Sequence, residues 1–279
     1  MIAHLLILCD FLTGATPPPD TQFVQVAPLP VQAAGILRSA GQVRAVVLIE
    51  GLDLHPLRPR RATEALLRPW QKPGSVLVRA IARDGDVFAF TYAQTAPVTD
   101  IADLPVLGEG IQRLRQAGYK EVVLVGFSAG GLVARQFVED NPTVGVTKVI
   151  QVCTPNVGSS LASVKMAVGP IQEPFLQSLS KQVRARVLEE RQGKRIPDSV
   201  QFVCVVGNGL AIGDGVVSTR SQWPEELQAQ GVPAVLVETE HWKAVYAERT
   251  AQVLARLVRD SHPRWDAAQV AAARKRLWP

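Results

Sequence analysis

Apolar runs and helical repeats alternate along most of the chain. Six runs rich in valine, isoleucine and leucine have the length of strands that are buried on both faces of a sheet. They are VRAVVLIEG (43–51), DVFAFTYA (86–93), YKEVVLVG (119–126), VTKVIQVC (146–153), SVQFVCVVG (199–207) and PAVLVETE (233–240). The alternation predicts an α/β fold in which a mostly parallel sheet carries helices on both faces.

Helical spacing of apolar residues marks the segments between these runs. The predicted helices are RATEALLRPW (61–70), DLPVLGEGIQRLRQAG (103–118), GGLVARQFVED (130–140) and WKAVYAERTAQVLARLVRD (242–260). Between the fourth and fifth predicted strands, residues 154–198 make a connection that is longer than an ordinary crossover. Its part PFLQSLSKQVRARVLEERQ (174–192) has one apolar stripe. It predicts a helical insert over one end of the sheet, and a plain crossover helix is the alternative.

The two ends of the chain flank one α/β domain, residues 43–262. Residues 1–42 are predicted to be an extended, proline-rich lead-in. The start has an apolar stretch and a small-residue site near Ala15, as a signal peptide has, but Asp10 interrupts the stretch and no Lys or Arg precedes it. Export and a cytoplasmic location both stay open, and we favour the cytoplasm. Residues 263–279 are predicted to form a basic C-terminal helix.

Composition indicates an ordinary globular protein. Of 279 residues, 47% are hydrophobic and 20% are charged, which is enough apolar surface for a large core without disulfides. The net charge of +5 comes partly from Arg274, Lys275 and Arg276. No recognition motif accompanies this charge, so we expect no nucleic-acid partner, while membrane-surface contact stays open. The three cysteines lack metal-ligand spacing, and we predict no metal or organic cofactor.

The segment EVVLVGFSAGG (121–131) joins a predicted strand to a predicted helix through a G-x-S-x-G pattern formed by Gly126, Ser128 and Gly130. A serine becomes a nucleophile only when a base removes its proton and the chain holds it clear. A sharp turn from strand to helix does so, and it accepts only small neighbours. The new helix aims N–H groups at an oxyanion, first that of Ala129. Ser128 is therefore the candidate nucleophile, and an unreactive turn serine is the alternative.

A candidate base and a candidate acid for this serine each lie just after a later predicted strand. Of the four histidines, His241 directly follows the sixth predicted strand, whose end should lie beside the serine's turn. Asp214 lies between two glycines in GNGLAIGDGVVS (207–218), at the carboxyl end of the fifth predicted strand, where a carboxylate can hold an imidazole in one tautomer. Glu240 competes for this role, but neighbouring side chains in an extended chain point in opposite directions. We therefore predict Asp214 as the acid.

The order Ser128, Asp214, His241 on this alternation of strands and helices resembles the α/β-hydrolase superfamily, in particular its lipase and esterase branch. The resemblance extends from about residue 43 to 260. TPNVGSSLA (154–162) is similar to the Thr-Pro-x-x-Gly-Ser/Thr stretch of several lipases, and GDGVVS is similar to the Asp-Gly-Val-Val around the lipase acid.

The resemblance implies a fold, a reaction and further roles. It implies that Leu52, after the glycine that ends the first strand, supplies the second oxyanion N–H, and that the 154–198 insert acts as a lid. The implied reaction is hydrolysis of carboxylic esters through an acyl-enzyme on Ser128. An acyl ester or lipid would be the small-molecule substrate, and the oligomeric state stays open.

One residue departs from the family pattern. Glu50 occupies the position where the family usually has histidine. An inward-pointing carboxylate would oppose a negatively charged transition state, so we expect it to point away or to be paired. Glu50 is also the feature that would fit an alternative to ester hydrolysis, a non-catalytic protein of this fold that binds a lipid or a protein partner. A thioesterase or acyltransferase activity is the remaining alternative.

Overall fold

The computed structural model describes residues 19–29, 35–54, 59–160, 169–210 and 213–278. Within these ranges seven strands form one sheet: β1 (Thr21–Ala27), β2 (Arg44–Ile49), β3 (Asp86–Tyr92), β4 (Glu121–Phe127), β5 (Lys148–Val152), β6 (Gln201–Gly207) and β7 (Ala234–Val237). Their order across the sheet is β1-β3-β2-β4-β5-β6-β7. All neighbours are parallel except β1 and β3. The predicted mostly parallel sheet is confirmed.

Helices cover both faces of this sheet. The α-helices are α1 (Val76–Ile81), α2 (Val98–Ala102), α3 (Pro105–Gln116), α4 (Ala129–Asp140), α5 (Glu173–Ser178), α6 (Lys181–Glu190), α7 (Thr219–Gln222), α8 (Glu225–Ala229), α9 (Glu248–Arg259) and α10 (Ala267–Leu277). Apolar residues of α1 and α9 pack on one face of the sheet. Those of α2, α3, α4, α5, α8 and α10 pack on the other. The central strands are therefore buried on both sides, as their unbroken apolar runs predict.

The sheet begins earlier than the pattern predicts. β1 lies inside the segment 1–42 that we predicted as an extended lead-in, and it pairs antiparallel with β3 at the edge of the sheet. Most of its side chains are only half-buried. An edge strand of this kind lacks the continuous apolar run of a central strand, and its proline-rich flanks resemble a linker.

The predicted helix over 61–70 is wrong. The structure has short 3₁₀ helices there, Pro59–Thr63 and Pro69–Gln71, with extended backbone at Arg68 (φ −71°, ψ 153°). Proline disfavours helical geometry in the residue before it, so Pro69 keeps Arg68 extended. The first α-helix follows instead at α1, where the Ser75 side chain accepts the Val78 N–H as an N-cap.

Two further predicted helices differ from the observed ones. The apolar stripe over 174–192 is divided between α5 and α6, because the chain turns at Leu179 and Ser180 caps a new helix. The closing helix begins at Glu248 rather than at residue 242, since a 3₁₀ turn, His241–Lys243, comes first. Both changes occur where a backbone turn interrupts an apolar repeat that would otherwise be continuous.

The ends of the chain contribute differently. The basic C-terminal segment contains α10, whose Leu277 is buried, and the Trp278 ring packs edge-on to Trp223 with centroids 6.2 Å apart. The possible signal segment lies outside the described residues. No helix in the described ranges is long and apolar enough to cross a membrane.

Candidate active site

The turn between β4 and α4 places Ser128 at the carboxyl edge of the sheet. Ser128 has φ 53° and ψ −121°, a left-handed conformation that is uncommon and costly for a residue with a side chain. Its N–H donates to Val152 O at 2.8 Å, and its own carbonyl accepts from Gly131 N at 3.0 Å. The strand on one side and the helix on the other therefore hold the serine in this strained position.

Close packing explains the glycines around the serine. A Cβ on Gly126 would overlap the backbone of Gly130, and a Cβ on Gly130 would overlap the backbone of β2 and Glu50. A Cβ on Gly51 would lie 2.7 Å from the Cβ of Ser128. The G-x-S-x-G pattern and the glycine after β2 are thus required by one tight approach of three chain segments.

The structure brings the three predicted triad side chains together. His241 Nε2 lies 3.0 Å from Ser128 Oγ, and His241 Nδ1 lies 2.7 Å from Asp214 Oδ2. All three residues are buried, with at most 5% of their surface exposed. Glu240, the competing acid, pairs instead with Lys243 Nζ at 2.7 Å.

Backbone contacts fix the acid and the base relative to each other. Asp214 Oδ1 accepts from the N–H groups of Val216 and Val217 at 2.9 and 2.7 Å, which leaves Oδ2 for the imidazole. The N–H of His241 donates to Asp214 O at 2.9 Å. The Phe127 ring packs against the imidazole with centroids 5.1 Å apart. The imidazole is therefore held by hydrogen bonds and by ring packing.

The two predicted oxyanion donors are backbone N–H groups that have no acceptor among the described residues. Within the described protein, neither Leu52 N nor Ala129 N donates to an acceptor. Ala129 is the first residue of α4, where helix N–H groups have no partner inside the helix. Leu52 lines the same cavity as Ser128. The arrangement leaves two donors available to a negatively charged oxygen near the serine.

Glu50 points away from this site and is paired, which confirms the expectation. It is fully buried, its Oε1 accepts from Tyr92 N at 2.9 Å, and its Oε2 forms an ion pair with Arg68 Nε. Arg68 also reaches Asp53 Oδ2 at 2.5 Å. Sequence reasoning missed Arg68, because its contact with Glu50 depends on the extended backbone before Pro69.

Burial raises the pKa of Glu50 from its ordinary 4.5 to about 7, although Arg68 and the Tyr92 N–H lower it in part. Because the folded-state pKa is the higher one, Glu50 favours the fold most below about pH 4.5, and this contribution falls as the pH rises to 7. Between pH 4.5 and 7 the contribution of Glu50 to the free energy of unfolding falls by roughly 3 kcal/mol. We expect Glu50→Gln to remove this part of the pH dependence.

The measurement is the free energy of unfolding by denaturant between pH 4.5 and 8, for the wild type and for Glu50→Gln. The stability of the wild type relative to the variant should fall across the interval from pH 4.5 to 7. Parallel pH profiles of the two proteins would contradict the assignment of a raised pKa to Glu50.

An apolar cavity of about 70 Å³ opens onto Ser128 and His241. Its walls come from the loop after β2, the 154–198 insert, the loop around Asp214 and the turn after β7. The apolar lining residues include Leu52, Leu54, Leu176, Leu179, Val217 and Trp242. Half of the Trp242 surface is exposed, so this ring lies at the rim. The cavity matches an apolar group next to the serine better than a charged one.

Cys153 lies beside the acid, a proximity that the cysteine spacing in the sequence did not predict. The sulfur and the ligand-type atoms of Asp214 and His241 lie within 4.8 Å of one another. Burial, with the nearby Asp214 charge, raises the pKa of the Cys153 thiol well above its usual value. A metal would require the thiolate. Because the raised pKa disfavours the thiolate, we assign no metal to this group.

Solved structures with similar folds include lipases and esterases. The mature lipase BlEst2 of Bacillus licheniformis matches with a TM-score of 0.60 and 16% identity, over 87% of this chain and 99% of that chain. Lipase B of Aspergillus fumigatus matches with a TM-score of 0.58 and 17% identity, over 88% of this chain and 60% of that chain. The metagenomic carboxyl esterase MGS0156 matches with a TM-score of 0.52 and 16% identity, over 89% of this chain and 81% of that chain.

These likenesses show that the chain has the α/β-hydrolase fold, in the form found in lipases and esterases. The sequence matches no protein-family model and no curated protein. The fold predicted from the sequence is therefore confirmed by the structure and its similarity to solved structures.

Proposed function

We propose that this protein is a serine hydrolase of carboxylic esters. The observation that carries the proposal is the hydrogen-bonded series Asp214–His241–Ser128 beneath an apolar cavity. Two backbone N–H groups beside the serine, which have no acceptor among the described residues, support it, because an oxyanion needs such donors. The lipase and esterase names of proteins with the same fold agree with this reaction.

The proposed reaction has two halves. Ser128 Oγ attacks the ester carbonyl while its proton passes to His241 Nε2, and the N–H groups of Leu52 and Ala129 bind the oxyanion. The tetrahedral intermediate collapses as His241 gives the proton to the leaving alcohol oxygen. Water then attacks the acyl-enzyme by the same route and releases the acid. Asp214 keeps Nδ1 protonated throughout, so that Nε2 can accept.

Cavity size supports short acyl groups as substrates. About 70 Å³ has space for roughly five water-sized groups. This small volume supports a short acyl group against the described walls. Leu176 and Leu179 belong to the insert, so part of the acyl selection would come from that segment.

The experiment is hydrolysis of nitrophenyl esters from acetyl to palmitoyl. We expect kcat/KM to be highest for the short chains, because the described cavity beside Ser128 is small. A maximum at palmitoyl would contradict the proposed acyl site. Failure to hydrolyse any member, together with no reaction of acyl thioesters, would contradict the proposed function.

A further inference from the structure

The segment 50–53, which we call the oxyanion loop, is bracketed by one buried side-chain amide. Gln94 Nε2 donates to Gly51 O at 2.8 Å, and Asp53 N donates to Gln94 Oε1 at 3.0 Å. Gln94 is only 1% exposed. Leu52 lies between these two contacts, so its backbone is held from both neighbours.

The contact with Gly51 O also determines where the Leu52 N–H points. The carbonyl of Gly51 and the N–H of Leu52 belong to one planar peptide unit, and in a trans peptide they point in opposite directions. A donor that holds the carbonyl on one side therefore aims the N–H to the other side. Gln94 thus orients the candidate oxyanion donor without touching it.

The orientation of Gln94 depends on the insert. Gln172 Nε2 donates to Gln94 Oε1 at 2.9 Å and to Asp53 O at 2.6 Å. Gln172 is 2% exposed and immediately precedes α5, within the 154–198 segment. With Oε1 of Gln94 engaged by two donors, its Nε2 must face Gly51 O. A residue of the insert therefore closes the set of hydrogen bonds around the oxyanion loop.

We propose that Gln172 is a positioning residue, through which the insert sets the Leu52 N–H for the oxyanion. This inference rests on the proposed ester hydrolysis. It gives the insert a second task besides lining the acyl cavity: the Leu52 donor is aligned only while the start of α5 is docked against Gln94 and Asp53. Neutral amide hydrogen bonds of this kind are individually modest, so their loss should leave the protein folded while it lowers the rate.

The test replaces Gln172 by methionine, which has a similar volume and no donor. We expect kcat on a short nitrophenyl ester to fall about tenfold or more, while KM changes by less than about twofold, because only the transition state uses the Leu52 N–H. Gln177→Met is the matched control. Gln177 is exposed and its side chain donates to Glu173 Oε1 at 2.7 Å, away from the oxyanion loop, so kcat of this variant should stay at the wild-type value.

A double substitution separates positioning from general damage. Because Gln172 is expected to act largely through Gln94, the double variant Gln94→Met with Gln172→Met should lose less kcat than the product of the two single losses. Additive losses, or equal losses for Gln172→Met and Gln177→Met, would overturn the inference.

Hydrogen exchange gives a readout that needs no substrate. The Asp53 amide should exchange faster in Gln172→Met than in the wild type, and at the wild-type rate in Gln177→Met. Unchanged exchange and unchanged kcat in Gln172→Met would overturn the inference while leaving ester hydrolysis intact. A wild type that does not react with esters would instead contradict the proposed function, and the exchange rate would still decide whether Gln172 holds the loop.

Discussion

Ser128→Ala is expected to lower kcat/KM on short nitrophenyl esters by roughly a millionfold. The reason is that Ser128 Oγ is the side-chain atom that meets His241 Nε2 at 3.0 Å in the cavity. Alanine keeps the small side chain that the turn requires, so the fold should persist. The measurement is steady-state hydrolysis, with circular dichroism to check folding.

Ser75→Ala is the matched control for this substitution. Ser75 caps α1, which packs on the face of the sheet opposite α4. The loss of this cap should cost about 1 kcal/mol of stability and leave hydrolysis unchanged. Comparable activity in Ser128→Ala and the wild type would exclude Ser128 as the nucleophile.

Asp214→Asn is expected to lower kcat about 10⁴-fold. The amide of asparagine can donate to His241 Nδ1, which would place the proton on Nε2, where it faces Ser128 Oγ and blocks proton transfer. Asparagine's oxygen can still accept from Val216 N and Val217 N, so the loop should keep its shape. The measurement is kcat across neutral and alkaline pH, alongside thermal unfolding.

Glu240→Gln serves as the control for the acid. Glu240 adjoins His241 in sequence and pairs with Lys243 at the surface, so its carboxylate should be dispensable. Equal losses in Glu240→Gln and Asp214→Asn, or full activity in Asp214→Asn, would contradict the role proposed for Asp214.

Local pattern was sufficient for the centre of the sheet. β2, β4, β5 and β6 are continuous apolar runs because both of their faces are covered, and such runs are visible without any knowledge of their neighbours. The carboxyl ends of parallel strands share one edge, which is why Ser128 and His241 could be predicted to meet.

Contacts between distant segments were not predictable from local pattern. β1 is an edge strand with half-buried side chains, so its run of apolar residues is too weak to distinguish it from a linker. Arg68 and Gln172 reach the oxyanion loop from segments 15 or more residues away. Their side chains are ordinary polar residues in the sequence, and only the folded backbone gives them a buried partner.

Glu50 illustrates both limits in one residue. The sequence marked it as a departure from the family pattern, and the charge argument predicted that it would be paired. Its partner, Arg68, lies in a segment for which helical spacing predicted the wrong conformation. The electrostatic requirement could thus be stated from sequence, but the group that meets it could not.

The most direct test of the central claim is reaction with a fluorophosphonate probe, followed by peptide mapping of the adduct. An activated serine reacts and an ordinary hydroxyl does not. We expect one adduct on Ser128 in the wild type, none in Ser128→Ala, and much slower labelling in Asp214→Asn. No labelling of the wild type from neutral to alkaline pH, or an adduct on another serine, would contradict the central claim.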